Sequence, residues 1–194
     1  MFLYMIRHGE STANVERLHA GWAQVPLTQN GRADAYAAKE ILKEIHFDKV
    51  YSSDLLRAIE TVKIALPNTI HILTDLIREI NVGELSGKSI SQCIDIYGDR
   101  YLKDKAARDF SFYGGENGTM QMKRVGKFLD MISGENVAAF CHEGTIRCTL
   151  KLANDAEADT RILKNGGVYL FENNDGKWNF KAEKKFKEKN RRKI

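Results

Sequence analysis

Short apolar runs alternate along this chain with stretches whose apolar residues recur at helical spacing. The opening run, Met1 to Ile6, is closed by Arg7 and reads as a buried strand over residues 2–6 that runs into a glycine-containing loop. Thr28 is placed to cap a helix reaching about Ile45, with Tyr36, Ile41, Leu42 and Ile45 on one side. A brief strand over 49–51 leads to a helix over 54–65 carrying Leu55, Ile59 and Val62, and a third strand follows over 70–73. Further on come a helix over 116–132, a buried strand over 137–140 and a helix over 144–152. Two strands, 168–171 and 178–182, form a hairpin turned by Asn174-Asp175-Gly176. Strands alternating with helices predict an α/β fold, a mostly parallel sheet with helices packed on it.

Residues 81–115 break that rhythm. Tyr97, Tyr101, Phe110, Phe112 and Tyr113 interleave there with Arg100, Lys103, Lys105 and Arg108. We read this stretch as a helical insertion between core elements, placed to cover a site. Most of its aromatics are expected in a core, and its cations on solvated helix faces. Arg100, Lys103, Lys105 and Arg108 are the candidates for reading a second anionic group of a ligand.

Length and composition add bounds. A chain of 194 residues suggests one domain that hides roughly 70 % of its unfolded surface. Hydrophobic residues at 43 % and charged ones at 29 % exclude collagenous, low-complexity and wholly disordered classes. The opening apolar run is too short to span a bilayer and lacks a signal peptide's charged lead. Cys93, Cys141 and Cys148 include no CxxC spacing, so a reduced, cytoplasmic setting is expected. The net charge of +4 is concentrated at the end: residues 181–194 sum to +6, leaving 1–180 at −2. Such a segment has the chemistry to meet nucleic acid or anionic lipid. A solvated, frayed end is the simpler reading, so neither a nucleic acid nor a membrane partner is expected.

Four groups carry candidate chemistry, each after a strand or at a helix start: Arg7-His8-Gly9-Glu10-Ser11, Ser52-Ser53-Asp54-Leu55-Leu56-Arg57, Arg78-Glu79 and Cys141-His142-Glu143-Gly144. Ligands of open α/β sheets collect at the strand carboxyl ends. Brought together there, these residues suit a phosphoryl group. Guanidinium forks bind its oxygens bidentately. Gly9 and Gly144 would let the backbone approach, and a helix start at 144 would add N–H donors. A neutral histidine attacks phosphorus through one ring nitrogen while a hydrogen bond on the other fixes the tautomer. A carboxyl whose pKa is raised then protonates the leaving group. His8 with Glu10, and His142 with Glu143, lack the spacing of a metal site.

The ordered series of these motifs resembles the histidine phosphatase (phosphoglycerate mutase-like) superfamily from about Phe2 to Phe171. The matching stretches begin with Arg7-His8-Gly9-Glu10-Ser11 and Asn14, then Gly21-Trp22 and Pro26-Leu27-Thr28 with Gly31. They continue through Ser52-Ser53-Asp54-Leu55 with Arg57-Ala58 and Thr61, and Arg78-Glu79 with Gly83 and Gly87. Gly114-Gly115-Glu116 with Arg124, and Phe140, His142, Gly144 and Arg147, complete the series. The resemblance implies a three-layer α/β/α sandwich in one domain over 1–180, with the insertion at 81–117 and no metal or organic cofactor. It implies that His8 is the nucleophile and Glu79 the general acid, with Arg7, Arg57 and His142 holding the phosphoryl group. Ser11, Asn14, Gly21, Glu143 and Gly144 fall at further substrate-binding positions. His19, His46 and His71 match no catalytic position and read as structural, and Cys141 as a buried filler.

Within the family, mutases carry Glu-Arg-His-Tyr at the acid, where this chain has Glu79-Ile80-Asn81-Val82. The mutase Thr-Gly pair corresponds to Ala20-Gly21. The phosphatase branch, with broad-specificity and α-ribazole phosphatases, is the nearer likeness. Departures from it are Gln24-Val25 before Pro26, Asn117 after Glu116, and Glu143 where that branch carries glycine. The expectation is a phosphomonoesterase for a small phosphorylated metabolite. Phosphoglycerate mutase activity and non-catalytic phospho-ligand binding are the alternatives, and a homodimer is left open.

Overall fold

The computed structural model describes residues 1–184. Six strands form one sheet in the order β3-β2-β4-β1-β5-β6. They are β1 (Phe2–Arg7), β2 (Lys49–Ser53), β3 (Ile72–Thr74), β4 (Asn136–Cys141), β5 (Val168–Asn174) and β6 (Lys177–Lys184). The pairs β1–β4, β2–β4 and β2–β3 are parallel, whereas β5 is antiparallel to both β1 and β6. The fold is thus mixed α/β around a mostly parallel sheet.

Strand side chains alternate between two cores, as the period of two requires. Tyr4, Ile6, Val50, Ala138, Phe140, Val168 and Leu170 pack on one face with Ala38 and Leu42 of α2 (Gln29–Leu42) and Val62 and Ala65 of α3 (Leu56–Ala65). Leu3, Met5, Tyr51, Val137, Ala139, Tyr169 and Phe171 pack on the other. There they meet Val125, Phe128 and Leu129 of α6 (Gly118–Met131) and Ile146 and Leu150 of α7 (Glu143–Leu152). These are the three layers.

Several boundaries differ from the sequence reading, each for a physical reason. Helix α2 ends at Leu42, and its buried face is Gly31, Ala35, Ala38 and Leu42. Small residues bring the helix close to the sheet, and Tyr36, one position off that line, is 59 % exposed. The third strand begins at Ile72, not Ile70, which is exposed; β3 is an edge strand that pairs, among the described residues, with β2 alone. Asn117 caps α6 by accepting from the Met120 N–H at 2.9 Å, keeping the cap where serine is usual. Asp175 and Gly176 both have positive φ (52° and 83°), as a two-residue hairpin turn requires. Lys181–Lys184, grouped by charge with the tail, are the end of β6; 185–194 lie outside the described residues.

The stretch between β3 and α6 carries α4 (Ile90–Tyr97) and α5 (Asp99–Ala107) over a core of its own. Ile80, Val82, Leu85, Cys93, Tyr101, Phe110 and Tyr113 form it. Phe112 departs from the expectation: it is exposed, beneath the Arg100 guanidinium at 3.7 Å. A four-residue helix, α1 (Thr12–Val15), follows the first motif.

Candidate active site

Strand register assembles the site. Arg7 pairs with Cys141 across the parallel β1–β4 ladder, so the next residues, His8 and His142, leave the sheet side by side. Their rings lie 5.1 Å apart, centroid to centroid. On the other flank of β4, Ser52 pairs with Phe140, which brings the Ser53 hydroxyl to 2.9 Å from His142 Nε2. Above these strand ends lies a cavity of about 360 Å³ whose walls include Arg7, His8, Ser11, Asn14, Arg57 and Glu79.

His8 is buried, and its Nδ1–H donates to its neighbour's carbonyl, Gly9 O, at 2.7 Å. That bond fixes the tautomer with the lone pair on Nε2, where it accepts from Arg57. Arg57 Nε lies 3.3 Å from Nε2, while its two Nη groups donate to the Ala23 and Gly21 carbonyls at 3.1 and 2.9 Å. Burial, then Arg57 and Arg7, push the His8 pKa well below its usual value. Burial, then Arg57 and His8, do the same to His142. Both rings are therefore neutral near pH 7. Burial also lowers Arg57 to about 10, with Glu79 pulling it up and Arg7 pushing it down, so it stays charged. Among the described residues, Arg7 Nε and His142 Nδ1 are buried without a hydrogen-bond partner. Two unpartnered nitrogens beside a fixed guanidinium form a receptor for an oxyanion.

Glu79 faces the same cavity. Its Oε1 accepts from the Ile80 N–H at 2.8 Å and the Gln121 amide at 3.2 Å, and its Oε2 from the Gly144 N–H at 3.1 Å. Burial raises its pKa, but Arg108, these N–H donors and Arg57 outweigh burial, and the net shift is downward. The raised pKa expected of an acid is thus not produced by the protein groups around Glu79. The loop carrying Glu79 is tied down by Arg124, which donates to the Leu76, Arg78 and Glu79 carbonyls and pairs with Glu116 at 2.8 Å. Trp22 donates to the Glu79 carbonyl at 2.7 Å.

Other motif residues serve elsewhere. Glu10 accepts from the Thr28 hydroxyl at 2.6 Å, locking the first loop to the start of α2. Arg78 forks onto Asp54, Nε to Oδ1 2.6 Å, with its guanidinium over Trp22 at 4.6 Å. Gly9 is needed for a backbone crossing rather than for a ligand: a Cβ there would stand 2.1 Å from Gly31 O. Helix α7 starts at Glu143, and the Gly144 N–H is spent on Glu79 rather than left for an anion. Asn14 Oδ1 accepts from the Ser11 N–H and hydroxyl, both at 3.0 Å. Glu143 lines the cavity, joined to Arg7 at 3.3 Å and Arg147 at 2.8 Å. Gly21 also lines it, with φ +46°.

Of the four insertion cations, Lys105 and Arg108 line the cavity, whereas Arg100 packs on Phe112. His19, read as structural, lines it too, bonded to the Tyr101 hydroxyl at 2.6 Å. Sequence reasoning missed Gln121 and Asn165, whose amide donates to the His8 carbonyl at 3.0 Å. Among the described residues, no group of three or more His, Cys, Asp or Glu side chains is placed to hold a metal ion. Nor is any helix among them long and apolar enough to cross a membrane.

The histidine phosphatase superfamily (branch 1) profile matches residues 3–184. The chain belongs to this superfamily. Among its relatives, 2,3-bisphosphoglycerate-dependent phosphoglycerate mutase 2 of Gloeobacter violaceus is 31 % identical over 160 residues, covering 76 % of this chain and 73 % of that one. Phosphoglycerate mutase-like protein 4 of Arabidopsis thaliana is 31 % identical over 190 residues, covering 91 % and 81 %. The α-ribazole phosphatase of Shigella flexneri superposes with a TM-score of 0.86 at 22 % identity, over 96 % of this chain and 97 % of that one, a likeness of fold. A phosphoglycerate mutase from Thermus thermophilus gives 0.73 at 26 %, over 95 % and 98 %. Solved structures with both kinds of name thus share this architecture.

Proposed function

We propose that this histidine phosphatase superfamily member is a phosphomonoesterase that hydrolyses a small phosphorylated metabolite through a phosphohistidine on His8. The observation that carries the reading is the His8 tautomer, locked by the Gly9 carbonyl so that Nε2 keeps its lone pair towards the cavity, held only by a long 3.3 Å hydrogen bond from Arg57 Nε.

In the first step His8 Nε2 attacks phosphorus, an N–P bond forms and the ester P–O bond breaks. The leaving alkoxide takes the proton of a protonated Glu79. Arg7, Arg57 and His142 hold the three other oxygens, where charge is shared in the transition state. In the second step Glu79, now a carboxylate, takes a proton from water as water attacks phosphorus. The N–P bond breaks, inorganic phosphate leaves, and His8 returns neutral. The low pKa of free Glu79 fits this cycle. Arg108 and Arg57 hold it down, and a phosphate dianion bound beside them offsets those cations and favours the protonated acid.

Mutase activity is the second reading, favoured by the names of the two relatives. Against it, the wall beside Glu79 is formed by Ile80 and Val82, two buried apolar side chains. The mutase pattern has Arg and Tyr there, so the cations near the acid are Arg108 and Lys105 of the insertion rather than the residues by which mutases retain a bisphosphorylated intermediate.

A panel of phosphorylated metabolites that includes α-ribazole phosphate and 3-phosphoglycerate tests the proposal through phosphate release. Turnover by the native protein and none by His8→Ala is the expected result. Isomerisation of phosphoglycerate dependent on a bisphosphate primer, without net phosphate release, would replace it with the mutase reading.

A further inference from the structure

Glu143 opens α7, where a carboxylate is favoured by the helix N-terminus. Its side chain is 41 % exposed and lines the cavity. One oxygen lies 2.8 Å from Arg147 and the other 3.3 Å from Arg7 Nη2. Arg147 is itself anchored by the Ala158 carbonyl at 2.6 Å, so the carboxylate is held from behind. Of the other nitrogens of Arg7, Nη1 donates to the Leu163 carbonyl and Nε is buried without a hydrogen-bond partner. The guanidinium that faces the oxyanion receptor therefore already has an anion on its edge.

We infer that Glu143 is a specificity-determining residue: a fixed negative charge at the cavity mouth that competes with phosphate for Arg7. It selects esters whose leaving group places no further anion beside the phosphate. The inference rests on the phosphomonoesterase reading and narrows its substrate class. The physics is Coulombic, since two anions within a few ångströms in a partly buried site repel far more than they do in bulk water. Other charges in the cavity wall have the opposite sign. Lys105 and Arg108 come from the insertion, so an anion carried towards that wall meets cations. An anion beside Arg7 meets Glu143. The same contact weakens retention of product phosphate and thereby favours release.

The test compares the native protein with Glu143→Gln, which keeps size and hydrogen-bonding reach and removes the charge. Binding of inorganic phosphate and orthovanadate is measured by calorimetry, a readout that needs no turnover. The inference predicts tighter binding by Glu143→Gln, roughly fivefold or more. It also predicts that kcat/KM for phosphoglycolate, whose carboxylate neighbours the phosphate, rises severalfold relative to that for ethyl phosphate. Unchanged or weaker phosphate binding overturns it; weaker binding would mean that Glu143 only holds Arg7 in place. A folded Glu143→Gly, judged by its melting transition, guards against a local defect of the amide and is expected to show the same preference. If the native protein hydrolyses esters and the two proteins bind phosphate equally, the inference falls alone. If the variant binds phosphate more tightly but neither protein turns over any ester, the competition of Glu143 with phosphate for Arg7 stands, and the phosphatase reading falls together with the ester selection built on it.

Discussion

His8 and His142 follow directly on Arg7 and Cys141, which pair across adjacent parallel strands, and their rings stand 5.1 Å apart at an interplanar angle of 57°. Sheet register, not loop conformation, sets this distance. Two histidines this close to each other and to Arg57 cannot both bind protons cheaply, and burial lowers both pKa values.

Stability should consequently fall as the solution is acidified. Above the ordinary histidine pKa of 6.5, both rings are neutral folded or unfolded and add no pH dependence. Below it the unfolded chain binds protons that the native chain refuses, so unfolding is favoured as pH falls towards the lowered native values. Each such histidine contributes a slope of up to about 1.4 kcal/mol per pH unit. Urea unfolding between pH 7 and 5.5 should show this loss, and His8→Asn should show a shallower one. Equal slopes for the two proteins would mean that His8 is protonated in the native state.

Glu79→Gln should separate substrates by leaving group. An alkyl ester needs its alkoxide protonated and should lose on the order of 10²–10⁴ in kcat. A nitrophenyl ester, whose leaving group is stable as an anion, should lose much less in the phosphorylation step. Single-turnover rates of phosphoenzyme formation measure this. Equal losses for both esters would remove Glu79 from the role of acid.

A methyl group at Gly144 should damage the site through Glu79. A Cβ there would lie 2.1 Å from Glu79 Oε1 and 2.9 Å from both Arg108 Nη2 and Gln121 Nε2. Gly144→Ala must displace the carboxylate, and a misplacement near 1 Å costs on the order of 10²-fold in rate. Activity that falls with little change in melting temperature is the expected pattern. Activity within a factor of about two of the native level would show that Glu79 tolerates displacement.

Much of this is legible in the sequence, and the limits have physical causes. The apolar run ending at Arg7 announces a strand whose end carries His8, and the run ending at Cys141 does the same for His142; both hold. Gln121 also leaves a signal. It sits at helical spacing from Val125, Phe128 and Leu129 on the buried stripe of α6, and a buried amide in an apolar stripe needs a partner, here Glu79 and Arg108. Lys105 shares a helix face with the buried Tyr101, four residues earlier, which distinguishes it from Lys103. Asn165 leaves no signal, because it lies in the loop before β5 where no periodicity constrains side-chain direction. The reason for Gly9 is hidden by a related cause: its close neighbour, Gly31, is 22 residues away on α2, and a sequence does not display that crossing.

The most direct test of the central claim is to trap the phosphoenzyme. The protein would be mixed with a rapidly hydrolysed ester, quenched in base, which preserves phosphohistidine, and mapped by mass spectrometry. The account predicts one added phosphoryl group, lost on mild acid treatment, on the peptide carrying His8 and absent from His8→Ala. Ester hydrolysis that persists in His8→Ala, or a phosphoryl group on another residue, would contradict it.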